Sequence, residues 1–182
     1  MKKIVLTFGL ISGVFSSGMM IATMPFIDRI GFDRGEYLGY TLIVLSFLLV
    51  FFGIRSYRDN VGHGQITFAR GFAVGILITL LSCAFYVVTW EIAYFNFVHG
   101  HMDKYYAYAI EKAKTSGATQ AAIQAKIEQI NKMKVMYENP LINSAMTFLE
   151  PFPVGLIITL LSAAFLRKNP SAQSARSALP AS

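Results

Sequence analysis

Cysteine is almost missing from this sequence of 182 residues: Cys83 stands alone. One thiol excludes an intramolecular disulfide framework and any cysteine-based zinc site. Charge is scarce as well. Only 14% of the residues are Asp, Glu, Lys or Arg, where a soluble domain carries about 25%. That deficit argues against a water-soluble globule. The hydrophobic share of 54% is too high for a disordered chain. No Walker loop, GxSxG or HExxH occurs, so no catalytic constellation, cofactor or metal site is expected.

What the chain has in quantity is apolar run length. A helix needs roughly 20 mainly apolar residues to cross about 30 Å of hydrocarbon. Four stretches qualify, at about 4–26, 37–54, 72–94 and 141–166. Barrel strands alternate apolar and polar residues, and LIVLSFLLVFF does not. The expected fold is therefore all-α, a four-helix transmembrane bundle occupying residues 1–168. Met1-Lys2-Lys3 before an apolar run also resembles a signal peptide. The run is longer than the usual core of about 7–15 residues, and SSGMMIATMPF offers no clear A-x-A site, so an uncleaved anchor is expected.

Basic residues near span ends favour the cytoplasm. Lys2 and Lys3 precede span one; Arg55, Arg58 and Arg70 lie between spans two and three; Arg167, Lys168 and Arg176 follow span four. Both termini are expected in the cytoplasm and the long segment 99–140 outside it. Tyr37 and Tyr40, with Trp90, Tyr94 and Phe95, then fall at the outer headgroup level. The net charge of +6 follows partly from this asymmetry and gives no reason to expect nucleic-acid binding. Arg55, Arg58 and Arg70 are candidates for contact with anionic headgroups.

The outer segment reads as a helical hairpin between spans three and four. MDKYYAYAIEKAKT is one helix, Ser116-Gly117 breaks it, and a second helix runs to Asn139-Pro140. Ile123, Ile127, Ile130 and Tyr137 make an apolar stripe on the second helix. It packs within the hairpin or on the membrane surface, or it serves a protein partner or a second copy through 101–138. Residues 169–182 read as a disordered cytoplasmic tail.

Two spans echo each other: VGILITLLSCAF (Val74–Phe85) and VGLIITLLSAAF (Val154–Phe165). Gly75, Thr79 and Ser82 share one helix face, as do Gly155, Thr159 and Ser162. Small residues let backbones approach closely in lipid, and hydroxyls bond across the contact. Antiparallel packing of spans three and four through these stripes would bring Thr79 and Thr159 to one depth. Gly9, Gly13 and Ser17 form a similar row in span one.

An ionisable group within a bilayer is a functional candidate by default. Glu91 lies ~28 Å and Glu150 ~24 Å from the inner edge at 1.5 Å per residue, which places both carboxylates at similar outer depths. Glu150 precedes Pro151, and residues before proline avoid helical geometry. Span four is expected to break there, with Glu150 capping the inner half. Such a broken helix with a carboxylate suits a cation site. HGHMD (His99–Asp103) suits a loop more than one helix face, and Cys83, in apolar surroundings, is expected to be inert.

GIRSYRDN (Gly53–Asn60), GQITFARGFAVG (Gly64–Gly75), TWE (Thr89–Glu91), ENP (Glu138–Pro140) and EPFPVGLIITLLSAAFLRK (Glu150–Lys168) together resemble the bacterial integral membrane family called domain of unknown function 4199. The resemblance covers roughly residues 4–168. It implies a small four-helix inner-membrane protein without an assigned activity, and it carries over no catalytic residue. The leading expectation is a non-enzymatic membrane scaffold or interaction protein. The alternative is a small ion- or proton-coupled transporter subunit using Glu91 and Glu150.

Overall fold

The computed structural model describes residues 1–168, with the backbone alone at Asp28, His99 and His101. The expected tail, 169–182, lies outside the described residues. Helix α1 (Lys2–Thr23) runs through a 3-10 turn at Met24–Phe26 into the short α2 (Ile27–Ile30). Then come α3 (Phe32–Asn60) and α4 (Phe68–Ala93), and a π turn (Tyr94–Val98) leads into α5 (His99–Lys114). Helices α6 (Gln120–Tyr137), α7 (Pro140–Leu149) and α8 (Phe152–Leu166) complete the chain. Among the described residues no strand forms; a lone backbone bridge joins Ile66 and Lys168.

Four apolar runs are long enough to cross a membrane: Lys2–Phe26, Phe32–Asn60, Phe68–Val98 and Pro140–Leu166. The fold is an all-α four-helix transmembrane bundle. The second run reaches further than its apolar centre, because Asp33, Arg34 and Glu36 at one end and Arg55, Arg58 and Asp59 at the other continue the same helix. Hydropathy marks where hydrocarbon must be met, and it stops marking once a helix emerges into headgroups. Helix α4 touches α1, α3, α7 and α8, while α1 and α8 flank the α3–α4 pair.

The helix ends follow local chemistry. Thr67 accepts a bond from Arg70 N at the start of α4, and Thr119 accepts one from Ala122 N at the start of α6. Asn139 accepts from Leu141 N at 3.0 Å, with Pro140 set at the first position of α7. The GHG turn after α3 has a backbone cause: Gly64 and His63 both take positive φ, and a Cβ on Gly62 would lie 2.1 Å from the Gln65 carbonyl oxygen. Segment 99–103 is helical, not a loop. The chain turns through the π turn without leaving helical hydrogen bonding, so two histidines at this spacing did not signal an irregular loop.

The break in span four differs from expectation. Glu150 keeps right-handed helical angles, φ −71° and ψ −59°, and Pro151 occupies the cap of α8 with no side-chain bond. Pro151 and Pro153 lack the donors that would reach Thr147 and Leu149, which accounts for an interruption without unwinding. Glu150 therefore does not cap the second half.

The interior inverts the pattern of a soluble protein. Ser12, Ser46, Thr79, Ser82, Asn143 and Thr159 are buried, whereas Leu6, Val14, Leu48, Val88, Ile157 and Phe165 face outwards. Large apolar side chains on the outside and hydroxyls within suit hydrocarbon as the surrounding solvent. A buried apolar cluster of Phe47, Val50, Ile54, Val74, Ile78 and Cys83 fills the space between the hydroxyl contacts.

Those contacts are short. Thr79 and Thr159 hydroxyls lie 3.0 Å apart, joining α4 to α8. Ser12 Oγ lies 2.9 Å from both Ser46 Oγ and Ser82 Oγ, joining α1, α3 and α4. Ser46 also donates to the Ser12 carbonyl at 2.9 Å, across the backbones themselves. Glycine makes the approach possible. A Cβ on Gly155 would lie 2.5 Å from Thr79 Cγ2 and 2.9 Å from the Phe47 ring, and one on Gly75 would lie 2.8 Å from Thr159 Cγ2. Gly9 and Gly13 receive Leu81 and Phe85 of α4 in the same way. Gly155→Ala is therefore expected to cost about 1–3 kcal/mol by overpacking. Gly39→Ala, with nothing within 4 Å of its added carbon, is expected to be neutral or slightly stabilising. Denaturation of both variants in mixed micelles checks this, and equal stability of the two would contradict the packing described.

Candidate functional site

The polar side chains within the spans concentrate where α4 faces α7, near the hairpin. An antiparallel register pairs Trp90 with Asn143, Glu91 with Ser144 and Tyr86 with Glu150. Trp90 Nε1 donates to Asn143 Oδ1 at 2.8 Å, and Ser144 Oγ donates to Glu91 Oε1 at 2.9 Å. Tyr86 donates to Glu150 Oε2 at 3.4 Å. Fully buried Asn143 also accepts from Thr147 at 3.2 Å and donates to the Tyr137 carbonyl at 3.1 Å. One amide thus ties α4, α7 and the end of α6 together.

This register separates the two carboxylates. Glu150 stands level with Tyr86, five residues from Glu91 on α4, or ~7.5 Å along the axis. They do not form one site. The expectation of similar depths came from counting residues along separate spans, and the count cannot see how the spans slide past each other. Glu91 is partly buried on the α4–α7 contact, while Glu150 is exposed and opens onto a neighbouring cleft.

That cleft has a volume of about 760 Å³. Its walls come from the end of α1 and the 3-10 turn (Met20, Ile21, Met24), the start of α3 (Phe32, Glu36), the end of α4 and the π turn (Trp90, Ile92, Phe97), and α5 (Met102, Tyr105). It is mostly apolar, with the carboxylates of Glu36 and Glu150 as its charged groups among the described residues. The two are close enough to act on each other electrostatically.

The hairpin leans on α3 beside this cleft. Lys112 Nζ reaches Asp33 Oδ1 at 2.5 Å, and Tyr108 donates to Asp33 Oδ2 at 2.9 Å. The Phe32 ring meets Tyr105 edge-on and Tyr108 at a tilt. The Asp33 carboxylate beside Lys112 holds its ammonium above the ordinary lysine range. Contact favouring the charged amine is present at neutral pH and lost only as pH rises through that raised value. Lys134 and Asp103 form a second ion pair, at 2.6 Å, across the hairpin. Ile130 and Tyr106 are buried where α5 meets α6, and Ile123, Ile127 and Tyr137 are partly buried. Most of the stripe thus lies on the inner side of the hairpin.

Arg55, Arg58 and Arg70 stand at the opposite end. Arg58 Nε donates to Asp59 Oδ1 at 2.7 Å, Arg55 Nε lies 3.6 Å from Asp59 Oδ2, and Arg70 Nη1 reaches the Tyr57 hydroxyl at 3.4 Å. One aspartate thus serves two arginines, and both remain near a single surface. The Ile66–Lys168 bridge sets the α3–α4 loop against the end of α8 on that surface.

The repeated stripes meet in part. Thr79 bonds Thr159, and Gly75 and Gly155 receive each other's neighbouring threonines. Ser82 turns instead to Ser12 on α1, and Ser162 is buried without a side-chain bond to Ser82. Because the helices run antiparallel, the residue three positions beyond Thr79 meets one three positions before Thr159, not its own counterpart. The serine hub of Ser12 and Ser46, the Asn143 amide and the Glu36 wall escaped the sequence reading. Ser46 had a signal: it is the lone hydroxyl in LIVLSFLLVFF.

Geometry of this kind defines a class, a four-span helical membrane protein whose intramembrane polar groups bond helix to helix. The chain belongs to the family described as protein of unknown function (DUF4199), whose model matches residues 7–168. No curated protein and no solved structure matches the chain.

Asn143→Leu strips acceptors from Trp90 and Thr147 and is expected to cost about 1–3 kcal/mol. Ser144→Ala, which frees only the partly exposed Glu91, is expected to cost less. Unfolding of both in mixed micelles, followed by helical circular dichroism, checks the order.

Proposed function

We propose that this chain is a non-enzymatic membrane scaffold or interaction protein, not an ion-coupled transporter subunit. One observation carries the reading: the polar groups within the spans face one another across helix contacts, and Glu91 and Glu150 bond separate hydroxyls instead of sharing a site. A coupling site needs carboxylates that converge on the ion. A scaffold needs a stable bundle and accessible ends. The hairpin provides one such end, with Val135 72% exposed on α6. The basic surface around Arg55, Arg58 and Arg70 provides the other, where each cation near an anionic leaflet contributes about 1 kcal/mol. In proteoliposomes under a proton or sodium gradient, flux is expected to equal that of protein-free vesicles. In native membranes a photocrosslinker at Val135 is expected to give one discrete adduct, with a second copy or another protein. Flux abolished by Glu91→Gln or Glu150→Gln, with no adduct, would reverse the two readings.

The location that fits this role is the inner membrane of a bacterium, with both termini in the cytoplasm. Lys2, Lys3, Arg55, Arg58, Arg70, Arg167 and Lys168 all belong to one end of the bundle, the end retained inside by the positive-inside rule. The hairpin then projects outside. Cys83 is fully buried, so a cysteine placed at Ser116 can be probed without removing it. Impermeant maleimide is expected to label that variant on intact cells. Labelling that needs lysis would invert the topology.

A further inference from the structure

The cleft at the hairpin end has the shape and charge of a lipid site. At about 760 Å³ it falls within the usual range for small-molecule pockets, about 300–1,000 Å³. Ile21, Ile92 and Phe97 line it and stay exposed, so it opens sideways, where hydrocarbon surrounds the bundle. An occupant must therefore be apolar along most of its length and reachable from within a leaflet.

Its polar end is more selective. Glu36 and Glu150 stand on the wall near enough to interact, and Glu36 has no hydrogen bond or ion pair among the described residues. Two carboxylates facing an apolar cavity repel each other unless a cation lies between them. Acid on the wall of a laterally open apolar cleft complements a lipid headgroup that carries an ammonium. An ammonium donates three hydrogen bonds to carboxylates, whereas a trimethylated nitrogen donates none.

We propose that this cleft binds a membrane phospholipid with a primary-amine headgroup, of the phosphatidylethanolamine type. Glu36 and Glu150 receive the ammonium, and an acyl chain lies against Phe32, Trp90 and Phe97.

Trp90 is the single tryptophan of the chain and lines the cleft, so its fluorescence reports occupancy. The full chain, in phosphatidylcholine vesicles, receives equal mole fractions of brominated-chain phosphatidylethanolamine, phosphatidylcholine or phosphatidylglycerol. Association with the ethanolamine lipid is expected to exceed the other two by about fivefold, the scale of a partly exposed charge pair with hydrogen bonds. The Glu36→Gln/Glu150→Gln variant, checked for unchanged helicity, is expected to lose that preference while still being quenched by every brominated lipid. Equal quenching by the three lipids in the unaltered chain overturns the proposal without reference to any variant. So does preference for phosphatidylglycerol, or an ethanolamine preference that survives the double substitution.

Discussion

Helices surrounded by hydrocarbon gain nothing by hiding apolar side chains from it, so close backbone approach must hold this bundle together. The contact between Thr79 and Thr159, framed by Gly75 and Gly155, is the centre of that arrangement. Each glycine leaves the space that the opposite threonine fills. The serine hub repeats the device on the other side of α4, where Ser12 meets Ser46 and Ser82. Hydroxyls thereby bond α1 to both α3 and α4, and α4 to α8. The large side chains are left to face lipid.

The same constraint shapes the two ends. Mid-membrane contacts are small and tight, with little room for a polar pathway. The α7–α8 interruption, the π turn and the short α2 all lie in the half of the bundle towards the hairpin. Backbone irregularity collects there together with the Asn143 network, the cleft and the Asp33 anchor of the hairpin. The opposite end is compact: a glycine-rich turn, a shared aspartate and a two-residue backbone bridge.

Much of this was legible in the residues and some was not. Run length gave four spans, the Ser116-Gly117 break gave the hairpin, and Asn139-Pro140 gave the start of α7, since each depends on neighbours in the chain. The Gly-Thr-Ser echo pointed to a contact, yet it could not say that Ser82 would turn to α1. The pre-proline rule suggested an extended Glu150, but packing of α7 and α8 in one span keeps it helical. Counting along the chain placed Glu91 and Glu150 at similar depths, whereas the register of α4 against α7 separates them.

By itself, then, the sequence determined the solvent, the number of crossings, the excess of positive charge at one end and the family, because hydropathy, charge and local turn chemistry act over a few residues. Tertiary structure alone decided which hydroxyl meets which, how far α4 slides along α7, and that Glu36 and Glu150 share a cleft. Those outcomes depend on ångström-scale fit between helices far apart in the chain, and nothing in a linear pattern encodes the sum of such fits until the helices are packed.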